Sequence, residues 1–187
     1  VAILQKKLAD DDVTFSGYAV KGRTGIDGLG LNQFSRRYIY HLLARLTEAT
    51  EIGAGRTETF DRLVDRTLKN PFDIEHIWAD DYEIVKDQFS TEQEFQDWRN
   101  HVASLLLLPA DVNRSLQDKP FPLKRVHYAK QNFFAASLDS SVYEHQPQFQ
   151  QFSTKYELSF KFAEVFDKAE QQVRRKLIAG LVELIWS

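Results

Sequence analysis

The sequence lacks cysteine and methionine entirely across its 187 residues. The absence of cysteine excludes disulfide bonds and thiolate zinc sites. It is typical of proteins from a reducing compartment, so we expect a cytoplasmic protein. Because there is no methionine and the chain begins at Val1, we expect a fragment of a longer protein with another module upstream.

Long apolar runs are missing as well. No stretch reaches the length of about 18 apolar residues that a membrane-spanning helix needs, and the N-terminus lacks the apolar segment of a secretory signal. An apolar content of 43% and an aromatic content of 13% nevertheless indicate a globular protein with a real core. The length suits one sizeable domain, or a core with a helical extension.

A large excess of one sign of charge is also missing, since 24 lysines and arginines stand against 27 aspartates and glutamates and the formal net charge is −3. The chain as a whole therefore lacks a general nucleic-acid-binding signature. Residues 99–130 differ, because they hold six bases and two acids. Such a local patch can bind a phosphate backbone, although a solvated surface would have the same composition. The glycine-rich segment 21–31 lacks the Gly-Lys-Ser/Thr of a phosphate-binding loop, which favours a simple connection.

Hydrophobic periodicity predicts a mainly helical chain with two short strands. The predicted helices cover residues 32–47, 57–68, 90–102, 110–116, 123–138 and 156–186, and the strands cover 72–77 and 105–108. Asn32 is expected to cap the first of these helices, whose apolar stripe begins at Phe34. Thr91 and Glu94 stand at capping-box spacing. Residues 1–8 resemble the end of a helix, residues 14–20 a strand or extended arm, and residues 139–153 a polar connector.

The stretch 73–78 contains Glu75 directly before His76, at the end of the first predicted strand. At a bend, Glu75 could bind a divalent cation while His76 accepts a proton from water, because an imidazole titrates near neutrality. An isolated Glu-His pair is more often a core histidine bonded to a carboxylate, since a two-residue match arises easily by chance.

Asn113 lies on a short predicted helix directly after the second strand. Its amide oxygen is a hard ligand that suits Mg²⁺, although an asparagine alone is more often a cap or a turn residue. The order of the elements adds weight to the ligand interpretation. A strand with Glu-His, a helical insert, an apolar strand and a helix with asparagine is the order of a strand–strand–helix metal fold.

The composite pattern resembles the HNH, or His-Me finger, nucleases. In particular it resembles the C-terminal nuclease domain of GmrSD-type modification-dependent (type IV) restriction enzymes. The resemblance covers about residues 72–130, and the arginine-bearing helix at 34–46 is similar to the segment that precedes the motif in that family. The matching positions are Ile74, Glu75, His76, Ile77, Trp98, the run 103–108, Asn113, Pro120, Phe121, Lys124 and Tyr128. One departure is Ala103-Ser104, where the family has Gly-Asn.

The resemblance implies a role for each matching residue. His76 would be the general base, and Glu75 and Asn113 would bind a divalent metal, Mg²⁺ first, with Mn²⁺ or another divalent ion as an alternative. The family's asparagine braces the histidine loop, so Ser104 would take over that role, or else His101 or Asn100. The expected phosphate and DNA contacts are Lys124, Arg114 and Arg125, although Lys124 could also be a plain surface lysine. The remaining histidines, His41, His127 and His145, match no motif position.

The expected fold is mainly α, with a small ββα-metal motif embedded among helices. Residues 1–31 would be an arm or linker from an upstream module, residues 32–138 the helical and HNH-like nuclease core, and residues 139–187 a polar connector and a long C-terminal helix that packs on the core. The implied function is metal-dependent cleavage of DNA, including modified DNA, as the effector domain of a restriction or phage-defence protein. An N-terminal NTPase and modification-sensing module would complete that protein.

Two alternatives stay open at this point. One is a catalytically inactive DNA-binding or protein-interaction module with a decayed nuclease site, which the Ala103-Ser104 departure supports. The other is a helical scaffold that docks a partner through its C-terminal helix.

Overall fold

A computed structural model describes residues 16–20, 22 and 25–186. The predicted helix end at 1–8 lies outside the described residues, as do residues 14 and 15 of the predicted arm. In the described part the α-helices are α1 (Arg36–Gly53), α2 (Phe60–Val64), α3 (Glu92–Asn100), α4 (Ala110–Leu116), α5 (Phe121–Tyr128), α6 (Phe133–Ala136), α7 (Pro147–Lys155) and α8 (Lys168–Trp186). The strands are β1 (Phe72–His76) and β2 (Leu105–Pro109). Short 3₁₀ helices lie at Ile26–Gly28, Tyr82–Ile84, Lys86–Gln88, Val102–Ser104 and Ser140–Tyr143. The fold is mainly helical, as predicted.

The two strands form an antiparallel pair in which Phe72 lies opposite Pro109 and His76 opposite Leu105. All four leucines of β2 are fully buried, because α1, α4 and α6 contact this strand. Burial on every side explains why β2 is a continuous apolar run and not an alternating one. Helix α4 follows β2 without a connecting residue and contacts both strands. The predicted order of strand, strand and helix is confirmed.

Helix α1 begins four residues later than predicted, after a turn that Asn32 stabilises. The Asn32 Oδ1 accepts hydrogen bonds from the backbone N–H groups of Phe34 (2.8 Å) and Ser35 (3.0 Å). Phe34 was expected in the apolar stripe, and that is wrong, because it precedes the helix and is 87% exposed. The inner face of α1 is buried from Ile39 to Leu46, as expected.

Several predicted boundaries are wrong because tertiary contacts override local periodicity. The helix predicted at 123–138 is two helices, and the Asn132 side chain caps the second by accepting from the Ala135 N–H (2.9 Å). The supposed connector at 139–153 contains most of α7, where Phe149 and Phe152 are buried three residues apart on one face. The last helix begins at Lys168, because the Asp167 carboxylate accepts from the Glu170 N–H (2.9 Å) and ends the irregular segment before it.

Helix α8 packs on the core against α1 and two of the 3₁₀ helices, those at Ile26–Gly28 and Val102–Ser104. Its buried face includes Leu177, Ile178, Leu181 and Val182. Among the described residues, none of the helices combines the length and the apolarity that crossing a bilayer would require.

Candidate functional site

Glu75 and His76 are the last two residues of β1. Adjacent residues of a strand point to opposite faces, so the two side chains enter different surroundings. The Glu75 side chain is 3% exposed and faces α5, whereas His76 is partly buried and contacts the end of α3.

The Glu75 carboxylate lies in a buried polar cluster. Its Oε1 accepts hydrogen bonds from the Lys124 ammonium (2.9 Å) and from the Tyr128 hydroxyl (2.7 Å). Lys124 and Tyr128 are four residues apart on α5, so both reach the carboxylate from one helix face. Burial raises the pKa of Glu75, and the Lys124 ammonium offsets part of that rise. Burial also raises the pKa of Tyr128 well above its ordinary value, and the Glu75 charge adds to the effect.

The same lysine also contacts the main chain of His76. The Lys124 Nζ donates to the His76 carbonyl oxygen at 2.7 Å, so one ammonium group joins the Glu75 side chain to the end of β1. Lys124 itself is 1% exposed. The expected phosphate contact of Lys124 therefore lies inside the protein in this structure, with its donors directed at Glu75 and His76.

The His76 imidazole is held from α3. Its Nε2 lies 3.0 Å from the Asn100 Oδ1, and the Asn100 Nδ2 is directed at the Gln96 Oε1 (3.5 Å). This orientation of the amide makes Asn100 the acceptor, so the proton belongs on the His76 Nε2 and the Nδ1 keeps a lone pair. Burial lowers the pKa of His76 to about 4, and the Arg99 charge acts in the same direction. The imidazole is thus neutral near pH 7 and able to accept a proton.

Ser104 lies behind the loop that follows His76. Its main-chain carbonyl accepts from the Ile77 N–H (2.9 Å), and its Oγ accepts from the Trp78 Nε1 (3.1 Å). The Oγ also donates to the Trp98 carbonyl (2.9 Å) and accepts from the Gln171 Nε2 (2.6 Å). The predicted bracing residue therefore contacts the two residues after His76, and Gln171 of α8 joins it there.

His101 forms its hydrogen bonds elsewhere. One ring nitrogen pairs with the Asp27 carbonyl, and the Nδ1 accepts from the Ala103 N–H (3.1 Å). Burial lowers the pKa of His101 to about 4. These contacts join the segment before α1 to the turn before β2. The residue that contacts His76 is its neighbour Asn100, which the sequence suggested only as an alternative.

Asn113 lies on α4 next to β1. Its Nδ2 donates to the Ile74 carbonyl at 3.0 Å, which anchors the amide and leaves the Oδ1 as the atom that can face a cation. Of the predicted phosphate contacts, Arg114 is exposed and its Nε donates to the Ala110 carbonyl (3.0 Å). Arg125 is partly buried, pairs with Asp139 (3.2 Å) and donates to the Ala163 carbonyl (2.8 Å).

The donors that could hold a cation are the Glu75 carboxylate and the Asn113 Oδ1. Within residues 16–20, 22 and 25–186, no group of three or more His, Cys, Asp or Glu side chains is arranged to bind a metal ion. Glu75 and Asn113 do not suit a closed zinc site, because such a site is usually built from four histidine or cysteine ligands. It fits Mg²⁺, which binds through one or two hard oxygens and completes its shell with water and substrate phosphate.

Two residues that contribute to the site, Arg99 and Gln171, were not predicted to do so from the sequence. Arg99 precedes Asn100 at the end of α3, is partly buried, and lies 3.6 Å from the Asp80 carboxylate. Gln171 comes from α8, 67 residues after Ser104. Arg99 belongs to the basic segment 99–130 and ends the tryptophan-bearing helix, but neither signal placed it at the site, and Gln171 had no sequence signal.

Comparison with known proteins gives one family. The family described as GmrSD restriction endonucleases, C-terminal domain, matches residues 29–172, a range that includes every residue of the site described above. Searches of curated proteins and of solved structures returned no match.

Proposed function

The chain belongs to the family of GmrSD restriction endonuclease C-terminal domains, and on that premise we propose that it hydrolyses DNA phosphodiester bonds with an HNH-type site on β1, β2 and α4. The family itself makes the chain a restriction endonuclease domain with DNA as its substrate. The observation that carries the finer proposal is the position of His76, whose Nε2 lies 3.0 Å from the Asn100 Oδ1 at the end of the strand that also carries the buried Glu75.

His76 acts as the general base in this proposal. Its Nδ1 takes a proton from the water that attacks the phosphorus, while the Nε2–H stays bonded to Asn100. The low pKa keeps the imidazole unprotonated at physiological pH, but it also makes the imidazole a weaker base than one that titrates near neutrality. Ser104 and Gln171 support the adjoining residues Ile77 and Trp78 from behind, which limits the movement of the loop.

Glu75 and Asn113 would hold a divalent cation, Mg²⁺ first. When bound, the ion supplies positive charge to the phosphate and to the leaving oxygen. The two hard oxygen donors support this assignment, as does the anchoring of the Asn113 amide nitrogen on Ile74. The pairing of Glu75 with Lys124 gives the carboxylate a counter-charge when no ion is present.

The exposed Arg114, one turn along α4 from the strand, is the residue we assign to the DNA backbone, together with the partly buried Arg125 of the same basic segment. We extend the proposal to the biological setting that the family's activity suits. There the chain is the effector of a modification-dependent, cytoplasmic defence protein whose N-terminal module hydrolyses NTP and senses the DNA.

The test is nicking of supercoiled plasmid in Mg²⁺ or Mn²⁺. We expect cleavage by the wild-type chain, and we expect His76→Ala to reduce it to background. His127→Ala replaces an exposed histidine on α5 and serves as the matched control, with activity retained. Cleavage by a pure His76→Ala protein would refute the proposal. DNA binding without cleavage in any metal would favour the alternative of a decayed site, which the occupied Glu75 carboxylate also suits.

A further inference from the structure

Lys124 is among the largest fully buried side chains of the described residues. Lysine is almost never fully buried without a partner, because its ammonium loses hydration. Here two of its three N–H donors go to Glu75 Oε1 and to the His76 carbonyl, at 2.9 and 2.7 Å. Both acceptors belong to the residues on which the proposed chemistry depends.

The charges that lower the pKa of Glu75 come from Lys124 and from Arg99, which also pairs with Asp80 (3.6 Å). Arg174 is also buried, and its charge lowers the pKa of Tyr128 in part. A divalent cation that approaches Glu75 is therefore repelled by the Lys124 ammonium, which is already bonded to the Glu75 Oε1.

We propose that Lys124 is a positioning residue and a built-in counter-charge: it fixes the end of β1 through the His76 carbonyl and competes with a divalent cation for Glu75. The inference rests on the proposed function, because it takes Glu75 as the cation ligand. It assigns Lys124 to the interior of the site and not to the DNA surface.

Two measurable consequences follow. First, Lys124→Met should tighten Mn²⁺ binding to the DNA-free protein, because it removes a positive charge adjacent to the ligand. The attraction between the Lys124 ammonium and the Glu75 carboxylate acts over 2.9 Å. Its loss should change the affinity of Glu75 for Mn²⁺ by about tenfold or more even where solvent screens the two charges strongly. Second, the same variant should lower kcat for nicking with little change in KM for plasmid, because His76 loses its main-chain contact while the DNA surface is unchanged.

The experiment is a titration of the DNA-free chain with Mn²⁺ by calorimetry, together with nicking kinetics. Lys155→Met removes an exposed lysine at the end of α7 and is the matched control, with Mn²⁺ affinity and kcat both as in wild type. Glu75→Gln gives the lowest expected Mn²⁺ affinity, because it removes the negative charge for which Lys124 and the cation compete. Unchanged Mn²⁺ affinity in a folded Lys124→Met protein would overturn the inference. So would a raised KM with an unchanged kcat, which would make Lys124 a DNA contact.

A second variant guards against misfolding, since Lys124→Met leaves a buried carboxylate without its partner. Lys124→Gln removes the charge but keeps an N–H donor for Glu75 or for His76. It should tighten Mn²⁺ binding as Met does while losing less kcat, and circular dichroism reports whether each variant is folded. The two proposals fail separately. If Lys124→Met binds Mn²⁺ more tightly but the wild-type chain never cuts DNA, the nuclease proposal is refuted and the role of Lys124 is supported. If the wild-type chain cuts DNA but Lys124→Met binds Mn²⁺ no more tightly, the nuclease proposal is supported and the role of Lys124 is refuted.

Discussion

Asn100→Ala tests the role of His76 without touching the residues that would hold a metal. It removes the oxygen that lies 3.0 Å from the His76 Nε2. Without that acceptor the imidazole proton can occupy either nitrogen, and the ring loses the contact that sets its rotation. Glu75, Lys124 and Asn113 keep their own hydrogen bonds, so any loss of activity reports on the histidine.

The expected effect on folding is small and the effect on rate is large. One partly buried hydrogen bond contributes about 1 kcal/mol to the free energy of unfolding. For a chain of this size that corresponds to a Tm lower by roughly 2–4 °C. General-base catalysis contributes roughly 10²–10⁴ in rate, of which orientation and tautomer are a part. We therefore expect kcat to fall by about 10–100-fold, or about 1.4–2.8 kcal/mol of barrier.

The assay is the initial rate of plasmid nicking at saturating DNA and metal, with His76→Ala as the floor. Asn100→Asp keeps an acceptor for the Nε2 proton and should retain more activity than Asn100→Ala. Gln93→Ala removes an exposed amide from the same helix, where it bonds to Asp97, and should leave kcat unchanged. If Asn100→Ala nicks DNA at the wild-type rate, Asn100 neither sets the tautomer nor orients the base.

Two further predictions concern stability. Burial lowers the pKa of His101 from 6.5 in the unfolded chain to about 4 in the folded chain. Between these two pH values the unfolded chain therefore binds more protons at this histidine than the folded chain does. The contribution of His101 to the free energy of unfolding should be complete above about pH 6.5 and should fall by up to about 3 kcal/mol towards pH 4. His76, whose pKa is also lowered to about 4, adds a fall of the same sign in the same window. Urea unfolding of His101→Gln should show a shallower fall, and equal slopes would contradict the assignment. Ser104→Asn, which installs the family's residue, should destabilise the chain by about 1–3 kcal/mol, because the larger amide enters a fully buried position bonded to Trp78 and Gln171. Gln171→Ala in the same chain should recover part of that loss, whereas strictly additive losses in thermal unfolding would show that the two side chains do not compete for space.

The elements that carry the candidate site could be predicted because each has a local signal. The run of leucines at β2 indicates a buried strand, and Pro109 marks its end. Residues 110–116 form the predicted helix with the same bounds, and β1 pairs with β2 where Phe72 and Ile74 of β1 are buried with the leucines of β2. The Thr91 hydroxyl caps α3 as expected by accepting from the Glu94 N–H at 3.1 Å, whereas the Glu94 carboxylate accepts from the Ser90 N–H (2.7 Å).

The helix boundaries around residues 129–167 could not be predicted in the same way. In the sequence, Asn132 is one of several polar residues in an amphipathic pattern. In the structure its Nδ2 donates to the Leu107 carbonyl (2.9 Å), and this contact holds the side chain in the position of a helix cap. Pro147 and the glutamines after it suggest a connector by composition. Phe149 stacks on Phe133 with ring centroids 5.2 Å apart, and that contact makes the segment a helix with a buried face.

What the sequence by itself determined is the chemical inventory of this protein: the order Glu75, His76, Asn113, and the strand–strand–helix frame that holds them. Periodicity and residue type act over a few neighbours, so they can specify elements and their order. The tertiary structure alone decided which side chains meet, since Lys124 reaches Glu75 across 49 residues and Asn100 reaches His76 across 24. A lysine in a basic segment becomes a buried counter-charge only when α5 packs against β1, because packing sets the burial and the partners that determine what a charge does.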